Sequence, residues 1–212
     1  MTQATKTIRE INRVGGHPAV DFINTVHSRF ADDGREYLKS YPDLVDWNLD
    51  AGFLSRRQSA HFKQAADARP REAEKMLDAA LELRESLYRL FLAVVRGKTP
   101  AGRDLTELNK LLKCSAGFLL LDKKAGALNW AWHLDPEELD SILCPVAKAG
   151  ADLLTSDKLD RLKECPAPDG CGWLFIDTSR NRSRQWCSMK DCGNAAKVRR
   201  FRKHQAQQKG GA

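Results

Sequence analysis

Four of the six cysteines lie within 28 residues near the C-terminus, and this cluster constrains the fold more than any other feature. They are Cys165, Cys171, Cys187 and Cys192, separated by five, fifteen and four residues. Two loops that each present two thiolates suit a tetrahedral site with sulfur ligands about 2.3 Å from the metal. Four protein ligands leave no open position, so the spacing predicts one structural metal ion. We expect Zn²⁺, and an iron–sulfur cluster is the alternative, since it also takes four thiolates.

Charge is distributed unevenly along the 212 residues. Residues 1–160 carry 23 Lys and Arg against 24 Asp and Glu, whereas residues 161–212 carry 12 against 4. The formal charge of +7 therefore arises in the last quarter of the chain. This asymmetry indicates two modules with different partners, so we place a domain boundary at residue 160. A module of about fifty residues rarely folds without a cross-link such as a disulfide or a bound metal ion, and the metal would supply that cross-link here.

The sequence contains no recognisable targeting or membrane signal. Its first residues are polar and charged, and no run approaches the roughly 18 apolar residues of a membrane span. We therefore expect a cytoplasmic protein with no membrane partner. Structural disulfides are rare in a reducing cytosol, which again favours metal binding by the clustered cysteines. Cys114 and Cys144, outside the cluster, are expected to be buried apolar residues.

The N-terminal module is predicted to be mainly α-helical with one β-hairpin. Apolar residues recur at helical spacing over residues 17–26, 42–49, 70–96, 104–113 and 135–154, with Asp135 as the N-cap of the last helix. Two apolar runs, residues 117–121 and 127–132, flank a glycine-containing turn, which is typical of a hairpin. Because Leu128, Trp130 and Trp132 alternate, we expect one face of this hairpin to pack on the helices.

The C-terminal module is predicted to be a treble-clef-like zinc finger, that is, a β-hairpin followed by a helix. Residues 172–177 and 184–187 flank a polar turn and are expected to form the hairpin. A helix over residues 193–204 would place Ala195, Val198 and Phe201 on its inner face. Asn194 is expected to cap the start of this helix. Since so small a module lacks an apolar core, metal binding would supply much of its folding free energy.

The sequence over residues 171–194 resembles the CGNR zinc finger, a family named for its Cys-Gly-Asn-Arg motif. Here the motif reads Cys-Gly-Asn-Ala, because Ala195 replaces the arginine, and Lys197 and Arg199 lie close by. The resemblance implies a zinc-binding module.

Three segments of the N-terminal module resemble the ABATE domain, which precedes this finger in bacterial proteins. They are Val-Asp-Phe-Ile-Asn-Thr at residues 20–25, Leu-Val-Asp-Trp at 44–47 and Gly-Phe-Leu at 52–54. The two resemblances together imply a stress-related transcription regulator that binds DNA. The N-terminal domain would then serve in sensing, in response to stress or a ligand, or in assembly.

The candidate nucleic-acid contacts are cations of the C-terminal module. They are Arg180, Arg182 and Arg184 near the predicted turn, Lys190 in the loop between Cys187 and Cys192, and Lys197, Arg199, Arg200, Arg202 and Lys203 on the predicted helix. An excess of eight positive charges over residues 161–212 exceeds what solubility requires and suits a phosphate backbone. Duplex DNA is preferred on the family resemblance. RNA is the alternative, with bases stacked on Trp173, Phe175 or Trp186.

His17, Asp21 and Asn24 share one face of the first predicted helix and are candidates for a small-ligand pocket. The alternative, which we favour, is exposure to solvent or hydrogen bonding to neighbouring main chain. We expect no enzyme activity, because the sequence has no Gly-rich phosphate loop, nucleophile elbow or His-Glu pair. The rival function is a small-molecule binder or enzyme within residues 16–160, with the finger as a scaffold. The sequence also leaves open whether the chain binds a small-molecule effector and whether it forms a homodimer.

Overall fold

Helices make up most of the computed structural model, which describes residues 7–30, 35–124, 126–167 and 171–209. The α-helices within these ranges are α1 (Pro18–Ile23), α2 (Tyr41–Asp50), α3 (Arg56–Ala68), α4 (Pro70–Val95), α5 (Gly102–Ser115), α6 (Cys144–Leu154) and α7 (Asn194–Lys209). Four strands, β1 (Leu119–Lys124), β2 (Ala127–Trp132), β3 (Leu162–Glu164) and β4 (Leu174–Ile176), form two antiparallel pairs, β1–β2 and β3–β4. Short 3-10 turns span Ile8–Glu10, Leu139–Leu143 and Asp157–Arg161, and a π-helical turn spans Met189–Gly193. The predicted fold class, mainly α with one hairpin and then a hairpin-and-helix finger, is confirmed.

Helix α3 begins with a capping box that the periodicity of the sequence does not reveal. The Ser55 hydroxyl accepts from the Gln58 N–H at 3.2 Å, and the Gln58 side chain accepts from the Ser55 N–H at 2.9 Å. Phe62 and Ala66 are the only buried apolar residues of this helix. Its apolar pattern is therefore too sparse to predict a helix from spacing alone.

Helix α4 lies at the centre of the core, and α1, α2, α5 and α6 all pack against it. Its side chains Leu83, Leu87 and Phe91 are almost completely buried. Helix α6 approaches closely at Gly150, where an added Cβ would lie 2.5 Å from Leu87 Cδ2. Although α4 has 26 residues, its outer face is polar, and no helix in the described part of the chain could span a membrane.

The β1–β2 hairpin does not pack on the helices along its length, contrary to the sequence prediction. Leu121 pairs with Trp130 and Leu119 with Trp132, so these side chains lie on one face together with Leu128. Trp132, at the base, packs against the core, whereas Trp130 is 68% exposed and Leu128 is 71% exposed. The alternation correctly predicts the strand, but only the base of its apolar face is covered.

The helix predicted over residues 135–154 begins later than expected. Asp135 does not cap an α-helix; its Oδ1 accepts from the Glu137 N–H at 2.9 Å in a local turn. A 3-10 turn over Leu139–Leu143 follows, and α6 begins at Cys144.

The C-terminal module contains a hairpin, but its strands are not paired as predicted. The predicted first strand, residues 172–177, contains β4. Strand β4 pairs with β3, with Leu162 opposite Ile176 and Glu164 opposite Leu174, whereas residues 184–187 form no strand. Leu162, Leu174 and Ile176 belong to the same apolar cluster as the core of the N-terminal module. The two modules therefore share one core, and β3 lies against α4.

Candidate metal centre and nucleic-acid interface

The fold brings together the four cysteines that the sequence singles out. Their Sγ atoms all lie within 4.8 Å of one another, and Cys187 Sγ is 3.6 Å from Cys171 Sγ and 3.4 Å from Cys192 Sγ. A tetrahedron with metal–sulfur bonds of 2.3 Å has sulfur–sulfur edges of about 3.8 Å, which agrees with this cluster. The residues fit one structural zinc ion, and the predicted ligand set and cofactor agree with this geometry.

Local structure positions two of these thiols, those of Cys165 and Cys192. Cys165 directly follows β3. Its N–H donates to the Trp173 carbonyl at 2.8 Å, and this bond joins the two ends of the segment that carries Cys165 and Cys171. Cys192 lies in the π-helical turn, which Ser188 caps by accepting from the Asp191 N–H at 3.3 Å. This turn continues directly into α7. The metal site therefore holds the start of that helix.

Contacts within the cluster change the acidity of the thiols. The neighbouring cysteine side chains lower the pKa of Cys165 and raise the pKa of Cys187. The Cys187 N–H also lies 3.5 Å from Cys165 Sγ. Zinc binding requires thiolates, and an N–H directed at sulfur stabilises the charged form.

Arg184 is half-buried and stabilises the metal centre through contacts to main chain. Its guanidinium donates to the carbonyls of Val14 at 2.9 Å, Ile176 at 3.2 Å and Trp186 at 3.0 Å, and also to Cys187 O. It also stacks over the Phe175 ring, 4.5 Å from the centroid. Since these contacts occupy the guanidinium, we remove Arg184 from the candidate nucleic-acid contacts.

A buried carboxylate, which sequence reasoning missed, orders the loop after β4. Asp177 is fully buried and accepts from the N–H groups of Ser179 at 2.9 Å and Arg184 at 3.0 Å, and from Lys163 Nζ at 2.6 Å. Burial raises the pKa of Asp177, but the Lys163 ammonium and the Ser179 hydrogen bonds outweigh it, so the pKa is lowered. Lys163 also donates to Arg182 O at 2.6 Å. The loop that carries Arg180 and Arg182 is thus held in place.

The remaining candidate cations are displayed on the surface of the finger. Arg180 and Arg182 are exposed in the ordered loop, and every side chain from Lys197 to Gln207 of α7 is exposed. Among the described residues, seven of these cations have no carboxylate within 4.0 Å: Arg180, Arg182, Lys190, Lys197, Arg200, Arg202 and Lys203. These side chains are available to an anionic partner.

Helix α7 does not bury the apolar face that its sequence suggests. Val198 is 48% exposed and Phe201 is 63% exposed, and only Ala195 of these three predicted inner residues is half-buried. Asn194 is not an N-cap either, because the π-helical turn precedes it and its Nδ2 donates to Lys190 O at 2.9 Å. Helix α7 therefore projects from the metal centre with most of its surface uncovered.

The proposed ligand residues of α1 are each hydrogen-bonded to main chain. His17 caps α1 and accepts from the Ala19 N–H at 3.3 Å, and burial lowers its pKa, which keeps the ring neutral. Asp21 accepts from the Gly15 N–H at 2.8 Å. Asn24 is buried and bonds to both main-chain groups of Leu174 in β4, at 2.8 Å and 3.2 Å. Asn24 therefore joins α1 to the finger.

Other contacts across the same junction involve the tryptophan considered for base stacking. The Trp173 Nε1–H donates to Val26 O at 2.7 Å, and Tyr88 Oη donates to Gly172 O at 3.1 Å. Phe175 is fully buried. Phe175 therefore presents no ring face to a nucleic-acid base, and Trp173 is half-buried with its N–H already paired.

Comparison with known families assigns both parts of the chain. The ABATE family model, described as "Putative stress-induced transcription regulator", matches residues 16–157. The CGNR zinc finger model matches residues 161–205, which include all four clustered cysteines. No curated protein sequence matches the chain. The two resemblances seen in the sequence are confirmed, in the same order along the chain.

Proposed function

Because the chain belongs to the ABATE family and carries a CGNR zinc finger, we propose that it regulates transcription by binding duplex DNA through that finger. The observation that carries the proposal is the set of exposed cations without carboxylate partners, which one metal-organised unit displays. The N-terminal domain, with which the finger shares its core, would report stress or a ligand to the finger. This function requires no catalysis.

The shape of α7 suits a groove of duplex DNA. Its 16 residues make a helix about 24 Å long, and a single helix fits the major groove. Arg199 and Lys203 lie four residues apart, and Lys197 and Arg200 three apart, so each pair shares a helix face. Cations on such faces can follow phosphates, and an arginine can pair with a guanine edge.

Zinc would make this binding metal-dependent through the start of α7. Most of the stability of a helix in a protein comes from tertiary packing, and α7 has little apolar contact of its own. The turn that holds Cys192 continues into α7, so the ion would fix where the helix begins and points. Loss of zinc should therefore reduce DNA affinity.

The proposal is tested by duplex binding of a double variant, Arg200→Gln with Lys203→Gln, in the zinc-loaded full chain. Fluorescence anisotropy with a 30-base-pair duplex, repeated at several salt concentrations, gives both the affinity and its salt slope. Each lost phosphate contact lowers that slope by about 0.9, so we expect it to fall by about 2 and the affinity by about tenfold. The matched control is Lys123→Gln with Lys124→Gln, which removes the same charge from the exposed β1–β2 hairpin.

Two outcomes would count against the proposal. If the control variant loses as much affinity as the finger variant, binding reflects overall charge and not the finger surface. If structured RNA or single strands bind more tightly than the duplex at the same salt, the partner is RNA, which was the alternative.

A further inference from the structure

A cavity of about 580 Å³ lies between the N-terminal domain and the finger. One wall is formed by residues of the finger, among them Trp173, Ala195 and the metal-site cysteines Cys171, Cys187 and Cys192, and the other by the N-terminal domain, including Val14 and Tyr37. Its volume lies within the range of about 300–1,000 Å³ that is usual for small-molecule sites, which often occur between domains. His17, Asp21 and Asn24 do not line it.

Most of the lining at one side is apolar. Ile11, Val14, Ala167 and Ala195 contribute aliphatic surface, and Trp173 contributes its ring. Because the Trp173 N–H is already bonded to Val26 O, the indole offers the cavity an apolar surface. A flat, apolar body would be well accommodated there.

The polar part of the lining is rich in hydrogen-bond donors. His27 Nδ1 lies 2.8 Å from Tyr37 Oη, and His27 Nε2 lies 3.4 Å from an Arg35 nitrogen. Whichever tautomer His27 adopts, these three side chains carry more N–H and O–H groups than acceptors. Burial raises the pKa of Tyr37, so its hydroxyl keeps its proton.

Arg35 supplies a positive charge that the described residues do not neutralise. Its guanidinium has no carboxylate within 4.0 Å among them. Away from the cysteines of the metal site, the one acidic residue of the lining is Asp191, which already accepts from the Ser188 hydroxyl at 2.7 Å. The charge at the Arg35 end of the cavity therefore favours an anion.

We propose that this cavity binds a small organic acid with a flat apolar body, whose carboxylate pairs with Arg35 and accepts from the Tyr37 hydroxyl. The apolar body lies against Trp173 and Val14. A guanidinium and a hydroxyl together recognise a carboxylate more strongly than a neutral acceptor, since charge-assisted hydrogen bonds are the stronger ones.

Such a ligand would contact both the N-terminal domain and the base of α7. Ala195 lies in the first turn of α7, and Ser188 and Asp191 form the cap before it. Binding would therefore favour one placement of α7 relative to the N-terminal domain. This regulatory consequence rests on the proposed DNA binding, whereas the ligand site does not.

Isothermal titration calorimetry with 2-naphthoate on the zinc-loaded full chain tests the site. A ligand of this size that fits its site should bind with a dissociation constant of about 1 mM or lower. Its neutral analogue 2-naphthamide should bind about tenfold more weakly, because it lacks the charge that Arg35 recognises. Arg35→Gln should weaken 2-naphthoate binding by about tenfold, and Tyr37→Phe by about threefold. The matched control Arg57→Gln, an exposed cation on α3, should leave the affinity unchanged.

The proposal is overturned if 2-naphthoate does not bind, if the amide binds equally well, or if Arg35→Gln and Arg57→Gln have equal effects. A duplex-binding measurement with and without 2-naphthoate separates the two proposals. Ligand binding without any DNA binding supports the ligand site and refutes the proposed function, and the reverse result does the opposite.

Discussion

Single residues join the two parts of this chain through bonds to main chain. Asn24 satisfies both main-chain groups of Leu174, and the Trp173 indole donates to Val26 O. Leaving such buried groups without a partner costs roughly 1–3 kcal/mol each, so these side chains fix the position of the finger. The contact between α1 and the finger thus explains why a polar residue, Asn24, lies at the end of an apolar helix.

Gly172 is the residue at which this junction tolerates the least change. Its φ is +60°, and an added Cβ would lie 2.5 Å from Phe30 Cε2 and 2.7 Å from Arg29 Cβ. Gly97 is a matched control, since its φ is +62° and its surroundings are open. We expect Gly97→Ala to lower the free energy of unfolding by about 1–2 kcal/mol and Gly172→Ala by about 1–3 kcal/mol more, because only the latter adds a clash. Urea unfolding of both variants measures this, and equal losses would contradict the close packing.

Asp21 should make stability depend on pH. Burial raises its pKa above the ordinary value, although the Gly15 N–H and Arg13 act in the opposite direction. Over the range between the ordinary and the raised pKa, the folded chain holds a proton that the unfolded chain has lost, so this group destabilises the fold as pH rises. Asp21→Asn keeps the acceptor for Gly15 and removes the charge. We expect the variant to gain stability relative to the native chain at pH 7 but not at pH 4.

Thermal melts of both proteins at pH 4, 5, 6 and 7 measure this difference. Because both chains hold the same cysteines, the effect of acid on the metal site largely cancels in the comparison. Asp67→Asn, at an exposed carboxylate of α3, controls for the loss of one negative charge. A difference between Asp21→Asn and the native chain that stays constant with pH would contradict the prediction.

At the scale of elements, two apolar faces are left exposed by the described residues. One is the outer part of β1–β2, with Leu128 and Trp130, and the other is the stripe of α7 with Val198 and Phe201. Periodicity predicts that each element is amphipathic, but it does not say what covers the apolar side. Both faces lie outside the core that α4 organises.

The β1–β2 hairpin offers a direct test of this exposure. Trp130→Thr should change the free energy of unfolding by less than about 0.5 kcal/mol, because the side chain is largely solvated and threonine suits a strand. Trp132→Thr, at the base that packs on the core, should cost about 2–3 kcal/mol. Chemical denaturation of the two variants provides the comparison. A cost at Trp130 equal to that at Trp132 would mean that its face is covered.

At the scale of the molecule, the finger is an extension of the N-terminal core. Leu174 and Ile176 of β4 belong to the cluster that α4 organises, and Glu164, the last residue of β3, pairs with Arg96 at 2.8 Å. The N-terminal segment also contributes, since Gly15 O accepts from the Ile176 N–H at 2.8 Å. The metal ion should therefore affect the stability of the whole chain.

Removing zinc should lower the melting temperature by at least about 10 °C, because structural zinc contributes several kcal/mol and about 1 kcal/mol shifts a chain of this size by 2–4 °C. Hydrogen exchange after chelation should show faster exchange in α1 and α4 as well as in the finger. Cys187→Ser should reproduce the effect, and added zinc should reverse chelation but not the substitution. Faster exchange confined to residues 161–209 would show that the modules are independent.

The metal ligands and most helices could be predicted from the sequence, since both follow from residues close together in the chain. Cysteine spacing is a local pattern with one dominant chemistry, and helical periodicity reports burial along one element. Tertiary structure alone decided that β4 pairs with β3, that Arg184 points inward and that Trp130 stays exposed. The physical reason is that pairing and exposure depend on which surfaces compete for burial across the whole chain, and distant segments set that outcome. The cavity beside Trp173 likewise depends on tertiary structure, because its walls come from the N-terminal domain and from the finger, which are distant in sequence.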